Sequence, residues 1–347
     1  MLLRVLSTTS SRNKSLLNRT NKKSTMKKTL LSIVALVAGF STAAAIDNNT
    51  VEIKYNGTTA QVNIASNISS VVTNNSSGSH VKLVQSATFA GNSLGEITYI
   101  LSGTSADGEF FLEGGYKCTI ELSGLTLTNP SGPAVNIQNG KRIDISVKKD
   151  TKNTLVDGVN EDYNGCIHCK GHAEFKGKGT LDIVGNSRHG IYSKEYVEVK
   201  NCTINVTKAV KDGIHCREYF LMESGTINIS GVEDDGIQVE LSGLTSTGQL
   251  PLHEDEDSGN FYMEDGTLTI DVYDYGGEHV KVDGSFIYDG GSRNFTTTAT
   301  AIDDLQLAGD GNATMYDLTG RRLEKGHAAH GVTIVRQAGQ VRKVLSK

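Results

Sequence analysis

The stretch that decides the fold is Ile167–Gly190, IHCKGHAEFKGKGTLDIVGNSRHG, followed by Ile191–Gly213, IYSKEYVEVKNCTINVTKAVKDG, and Ile214–Gly236, IHCREYFLMESGTINISGVEDDG. A fourth unit opens at Ile237, so successive openings are 24, 23 and 23 residues apart. A fixed period of about 20–50 residues marks a stacked repeat. Each period holds three short runs with period-two alternation, separated by Gly, Asp, Asn or Ser, and none carries a helical stripe. The pattern predicts an all-β parallel β-helix with three short strands per coil. Leucine-rich repeats of similar length need a Leu-x-x-Leu-x-Leu frame that is missing, and propeller repeats usually show Trp, which the chain lacks.

Parallel stacking places equivalent residues about 4.8 Å apart, so sequence columns become ladders. Ile167, Ile191, Ile214 and Ile237 form one inward ladder, with Cys169, Ser193, Cys216 and Val239 two positions on. Leu181, Ile204, Ile227 and Leu268 form another, continued by Ile183, Val206, Ile229 and Ile270. Cys202 falls in a column of Gly179, Gly225 and Gly266 that parity also turns inward. The five cysteines are therefore read as small buried thiols. Cys166 and Cys169 form a lone CxxC, a poor zinc signal because residues three apart on a strand face opposite ways. From Asn48 to Thr300 the body has room for eleven coils at most, a rod of about 50 Å. The repeat breaks between Leu241 and Asn260, where His253-Glu254-Asp255-Glu256-Asp257 suggests a projecting acidic loop.

Outward columns are the candidate binding face. One reads His168, Tyr192, His215, Gln238; the next reads Lys170, Lys194, Arg217, Glu240; a third holds His172, Tyr196 and Tyr219. Stacked aromatics and planar polar groups suit a sugar chain, whose ring faces pack on aromatic rings and whose hydroxyls need hydrogen bonds. The basic column costs about 1 kcal/mol per neighbouring pair in water, which an anion such as a uronate would relieve. At the turn before each inward Ile stand Asp212-Gly213 and Asp234-Asp235-Gly236. Stacked carboxylates from Asp212, Asp234 and Asp235 suit a calcium ion. Asp-Gly is also a common turn pair, because both residues tolerate left-handed backbone angles.

Glycine numbers 38 of 347 residues, proline 3 and charged residues 21%, which excludes collagen-like and disordered classes. Met1–Ala45 carries eight basic residues and no acid, leaving 26 basic against 39 acidic residues downstream. Nucleic acid is therefore a poor partner. Acidic residues outnumber basic ones 34 to 19 between Ile46 and Ala301, so long-range attraction of a polyanion is also weak, and a metal bridge would reconcile the two. Lys27-Lys28, the apolar run Leu30–Phe40 and the small residues to Ala45 read as a secretory signal peptide cleaved after Ala45. Met1–Thr25 adds nothing to such a signal, which suggests a functional start at Met26. No later run approaches the length of a transmembrane span. The expected organisation is a leader over 1–45, the β-helix over 46–301 and a small β domain over 302–347.

YILSGTSADGEFFLEG from Tyr99, LSGLTLTNPSGPAVNI from Leu122, TKNTLVDG from Thr151 and the repeated DGI units resemble the carbohydrate-binding β-helix of exported bacterial proteins, related in fold to pectate lyases. The resemblance implies a right-handed parallel β-helix that binds plant-type, including pectic, polysaccharides with calcium and without degrading them. Met315–Arg322 with Gly331-Val332-Thr333-Ile334-Val335 resembles the C-terminal sorting domain of type IX secretion in Bacteroidetes, with Gly331-Val332-Thr333 in place of its usual Gly-Ile-Tyr. That resemblance implies a small β-sandwich, the export machinery as a partner, and a secreted or cell-surface location. A calcium-dependent lyase with Arg217 as base beside Asp212 and Asp235, and a structural surface adhesin, are the alternative readings. No unique catalytic constellation stands out, since each of those residues belongs to a repeat column. The expected glycan-binding set is His168, Lys170, Tyr192, Lys194, Tyr196, His215, Arg217 and Tyr219.

Overall fold

The computed structural model describes residues 46–87, 94–243, 257–274 and 277–298, together with tail strands at 314–316, 322–323, 331–337 and 340–346. The leader reading over 1–45 and His253–Glu256 of the expected acidic loop lie outside the described residues.

The body is a parallel β-helix of about eight turns. In the repeat quoted above, each coil lays one strand on a first ladder (Gly165–Cys169, His189–Ser193, Ile214–Arg217, Ile237–Glu240) and two on a larger sheet. The second ladder runs through Ala173–Gly177, Val197–Lys200, Tyr219–Met222 and Asn260–Met263. The third runs through Thr180–Val184, Thr203–Lys208, Thr226–Val232 and Thr267–Tyr273. Register follows the sequence columns. Ile167 faces Ile191, Ile191 faces Ile214 and Ile214 faces Ile237, while Leu181, Ile204, Ile227 and Leu268 pair in turn. All of these are buried. So are the five thiols, all free, with burial pushing Cys169 and Cys202 up to about 12. Thiols so far from ionisation behave as small apolar groups.

The turn count falls below the sequence-based ceiling of eleven for two reasons. Residues 50–64 and 72–85 fold as antiparallel hairpins, so that only one strand of each, 50–56 and 80–85, stacks in parallel on the next coil. The early coils are also long, since Val81, Phe110, Val135 and Ile167 stack at intervals of 29, 25 and 32 residues. The cross-section changes along the axis as well. Cys118–Thr128 is one continuous strand whose first half pairs with Ile143–Val147 and whose second half pairs with Lys152–Val156. Beyond it the large sheet forks into the second and third ladders. At the corner between them, Gly225 and Gly266 take φ of +102° and +101°, and a Cβ on Gly225 would meet the Cys202 carbonyl oxygen at 2.5 Å. Only glycine closes that corner without strain.

The tail strands form a separate antiparallel sheet in the order 322–323, 314–316, 331–337, 340–346. Among the described residues, no helix is long and apolar enough to cross a membrane.

Candidate functional site

Three groups of side chains lie around the first ladder. On its outward face His168 pairs with Tyr192, Tyr192 with His215 and His215 with Gln238, as the columns require. The rings stack on one another instead of lying open. His168 and Tyr192 are 5.3 Å apart and 14° from parallel, and Tyr192 and His215 are 5.4 Å and 20°. All three are buried to within a tenth of their surface. Their faces are used by the stack, so this column offers ring edges, a correction to the expected sugar-packing surface. Lys170 and Lys194 beside it are exposed, and neither makes an ion pair with another described residue. Arg217 is partly covered, with Nε 3.7 Å from Glu240.

Burial pushes His168 down to about 4, helped by the Lys170 charge. Its Nδ1 accepts the Asn164 amide at 3.2 Å, which an imidazolium cannot do. A folded-state value below the free one means that the neutral ring's contribution is present above about pH 6.5 and is lost as the pH falls toward 4. The fall is on the order of 3 kcal/mol, from about 1.4 kcal/mol per unit. Glu174 and Glu195, both pushed up to about 7, first by burial, work in the opposite sense over the same range. The His168 contribution is therefore expected as the difference between wild type and His168→Asn in unfolding titrations at pH 4 and pH 7. A difference that does not change with pH would show that the ring is not held neutral by the fold.

Tyr196 and Tyr219 do not belong to the open face. They sit at the corner between the first and second ladders, 2% exposed each, in a small apolar cluster with Leu221 and Tyr262 that is separate from the main core. Their rings stack at 4.6 Å, and their hydroxyls donate to Glu174 and Glu198, each at 2.9 Å. Parity turned them away from the core correctly, but this second cluster leaves no ring face for a sugar. Beneath them His172 lies 4.3 Å from Tyr196, ring to ring, and its Nε2 is 3.5 Å from Glu218 Oε2.

The turn carboxylates come together as expected, with oxygens of Asp212, Asp234 and Asp235 within 4.8 Å of one another. Their backbone reason differs from the one expected. Gly213 and Gly236 are outside the left-handed region. They are glycine because a Cβ on Gly213 would lie 2.6 Å from Ile229 of the third ladder, and one on Gly236 would strike Ile270. The aspartates knit coil to coil. Asp212 Oδ1 accepts the Asp235 amide at 3.2 Å, and Asp235 Oδ1 accepts the Glu278 amide at 2.8 Å. Asp212 Oδ2 accepts from His215 Nδ1 at 2.9 Å and lies 3.1 Å from His189 Nδ1, while Asp235 Oδ2 accepts from Lys281 Nζ at 3.0 Å. Asp234 is exposed, and burial and its two acidic neighbours raise it. The all-oxygen set suits a hard cation. Such an ion would have to displace the Lys281 ammonium at Asp235.

Residues 77–313, more than half of the chain and most of the solenoid, match the family described as carbohydrate-binding domain-containing protein. The chain belongs to that family. No curated protein matches it. A solved structure titled as the polysaccharide lyase-like protein from C. thermocellum, a gadolinium derivative, aligns with a TM-score of 0.52 at 18% identity. The alignment covers 70% of this chain and 99% of that one, a likeness of fold. For a carbohydrate-binding domain, the exposed lysines of the first ladder are the feature most open to a ligand. Sequence columns located them. They did not locate Lys281, which lies 43 residues past Gln238 across the interrupted coil and still pairs with it in register. Nor did they single out Glu195 and Glu218, although the recurring triplets Lys194-Glu195-Tyr196 and Arg217-Glu218-Tyr219 were a signal.

Proposed function

We propose that the protein is a non-catalytic polysaccharide-binding module that engages an acidic, pectin-like chain along Lys170, Lys194 and Arg217. Family membership over residues 77–313 carries this reading, because that span contains these first-ladder strands with Lys170 and Lys194 exposed and Arg217 partly covered. The edges of His168, Tyr192 and His215 add hydrogen-bonding groups beside the lysines. Calcium at Asp212, Asp234 and Asp235 is part of the proposal, supported by the convergence of their oxygens. Export through the leader and the C-terminal sheet to the cell surface completes it, and N-terminal sequencing of the secreted product should then start at Ile46.

A binding strip spreads its energy over repeated contacts, so single truncations should act in modest steps. Lys194→Ala and Arg217→Ala are each expected to weaken retention on polygalacturonate several-fold, with little change on neutral glucan, and chelation should weaken it further. No unsaturated product is expected from pectate. Sustained turnover of pectate that disappears in Arg217→Ala would establish a lyase instead, since removing one base abolishes a chemical step while leaving binding largely intact.

A further inference from the structure

We propose that His172, Glu195 and Glu218 form a binding site for one divalent first-row transition ion of the zinc class, clasping three successive coils. One nitrogen of His172 and one carboxylate oxygen from each glutamate lie within 4.8 Å of one another. They come from consecutive coils at the corner between the first and second ladders, where the Arg217 amide bonds to the Glu195 carbonyl and the Ala173 amide to the Tyr196 carbonyl.

A second observation points to a ligand. The Glu218 side chain is 7% exposed, and its Oε2, directed at His172, has no hydrogen-bond partner among the described residues. His172 Nδ1 is likewise buried and without one. A buried carboxylate oxygen without a hydrogen bond, with a second carboxyl from Glu195 beside it, is costly, and a cation relieves that cost directly. Glu218 also holds φ at +64°, a left-handed angle for a residue with a Cβ, so the chain accepts strain to keep its carboxylate here. Charge balance agrees, because two carboxylates and a neutral imidazole around a divalent ion sum to zero.

Ligand type sets the metal. Imidazole nitrogen with carboxylate oxygen suits zinc and its neighbours, whereas calcium takes oxygen alone. The Asp212 turn makes the contrast. There His189, Asp212 and His215 also converge, but both Asp212 oxygens have donors of their own, His215 Nδ1 and the Asp235 amide, so no buried oxygen there is left unsatisfied as Glu218 Oε2 is.

The test is a zinc titration of the tag-free secreted chain by calorimetry, with melting curves recorded alongside. Wild type is expected to bind one equivalent and to melt higher when loaded, as any ligand of the folded state requires. Glu218→Gln and His172→Gln should each weaken binding about a hundredfold or more, and Asp235→Asn should leave it unchanged. Metal-free melting curves check that each variant folds, and if one fails to fold the other decides. Absence of saturable zinc uptake by wild type, or uptake unaltered in every folded corner variant, overturns the site.

Discussion

Asp212→Ala is expected to lower the unfolding free energy by about 2–6 kcal/mol. Truncation strands two buried donors, the His215 Nδ1–H at 2.9 Å and the Asp235 amide at 3.2 Å, at about 1–3 kcal/mol each. Burial alone would raise this carboxyl, but the hydrogen bonds and charges of His189 and His215 outweigh it and hold it well below the usual carboxylate range. A depressed folded-state value means that the stabilisation is present above the unfolded value near pH 4 and lost as the pH falls through the folded one. The deficit of Asp212→Ala in urea titrations should therefore be full at pH 7 and shrink in strong acid. Asp212→Asn, which keeps an acceptor, should cost less. A neutral-pH deficit under about 1 kcal/mol would mean that the coil-to-coil amide bond is not an energetic joint of the turn, since one such bond alone is worth about that much.

Most of the solenoid was legible because its sequence period and its hydrogen-bond register are the same quantity. Where coils keep 23 or 24 residues, the columns of Ile167 and Leu181 became ladders in register, and the third ladder shifts only after Ile183, where Val184 pairs with Lys208. Where coil length drifts to 29, 25 and 32, as from Val81 to Ile167, equivalent residues no longer recur at a fixed spacing, and a hairpin at 50–64 or 72–85 has no period that distinguishes it from a coil. Parity was less informative about the site. It decides which way a Cβ points from the core, but not whether a second layer covers it. Tyr196 and Tyr219 point outward and are buried all the same, because Leu221 and Tyr262 on the neighbouring ladder build a cluster over that corner. Nor could parity show that His168, Tyr192 and His215 would spend their faces on each other. The Asp-Gly pairs were located correctly for a reason that proved different, since the close approach of Ile229 and Ile270, two ladders away, excludes a Cβ.

Phe261→Ala is expected to cost about 3–5 kcal/mol, and to cost it locally. Phe220 and Phe261 are fully buried and stack at 4.8 Å and 4° from parallel, and Phe261 stacks on Phe286 at 4.7 Å and 11°. Phe261 is the middle ring of the three, so its removal leaves a cavity and takes a stacking partner from the coils on both sides. A solenoid holds each coil mainly by its two neighbours, so its stability is close to a sum of nearest-neighbour terms. The loss should therefore fall on the C-terminal coils that depend on this ladder. Amides of 260–298 are expected to lose hydrogen-exchange protection by several orders of magnitude, since about 1.4 kcal/mol corresponds to a factor of ten. Amides of Cys118–Thr128, several coils away, should hold theirs. Phe261→Leu, which keeps most of the volume, should cost under about 1.5 kcal/mol. Protection lost equally along the whole body in Phe261→Ala would show that the coils unfold as one unit, in which case the nearest-neighbour account is wrong.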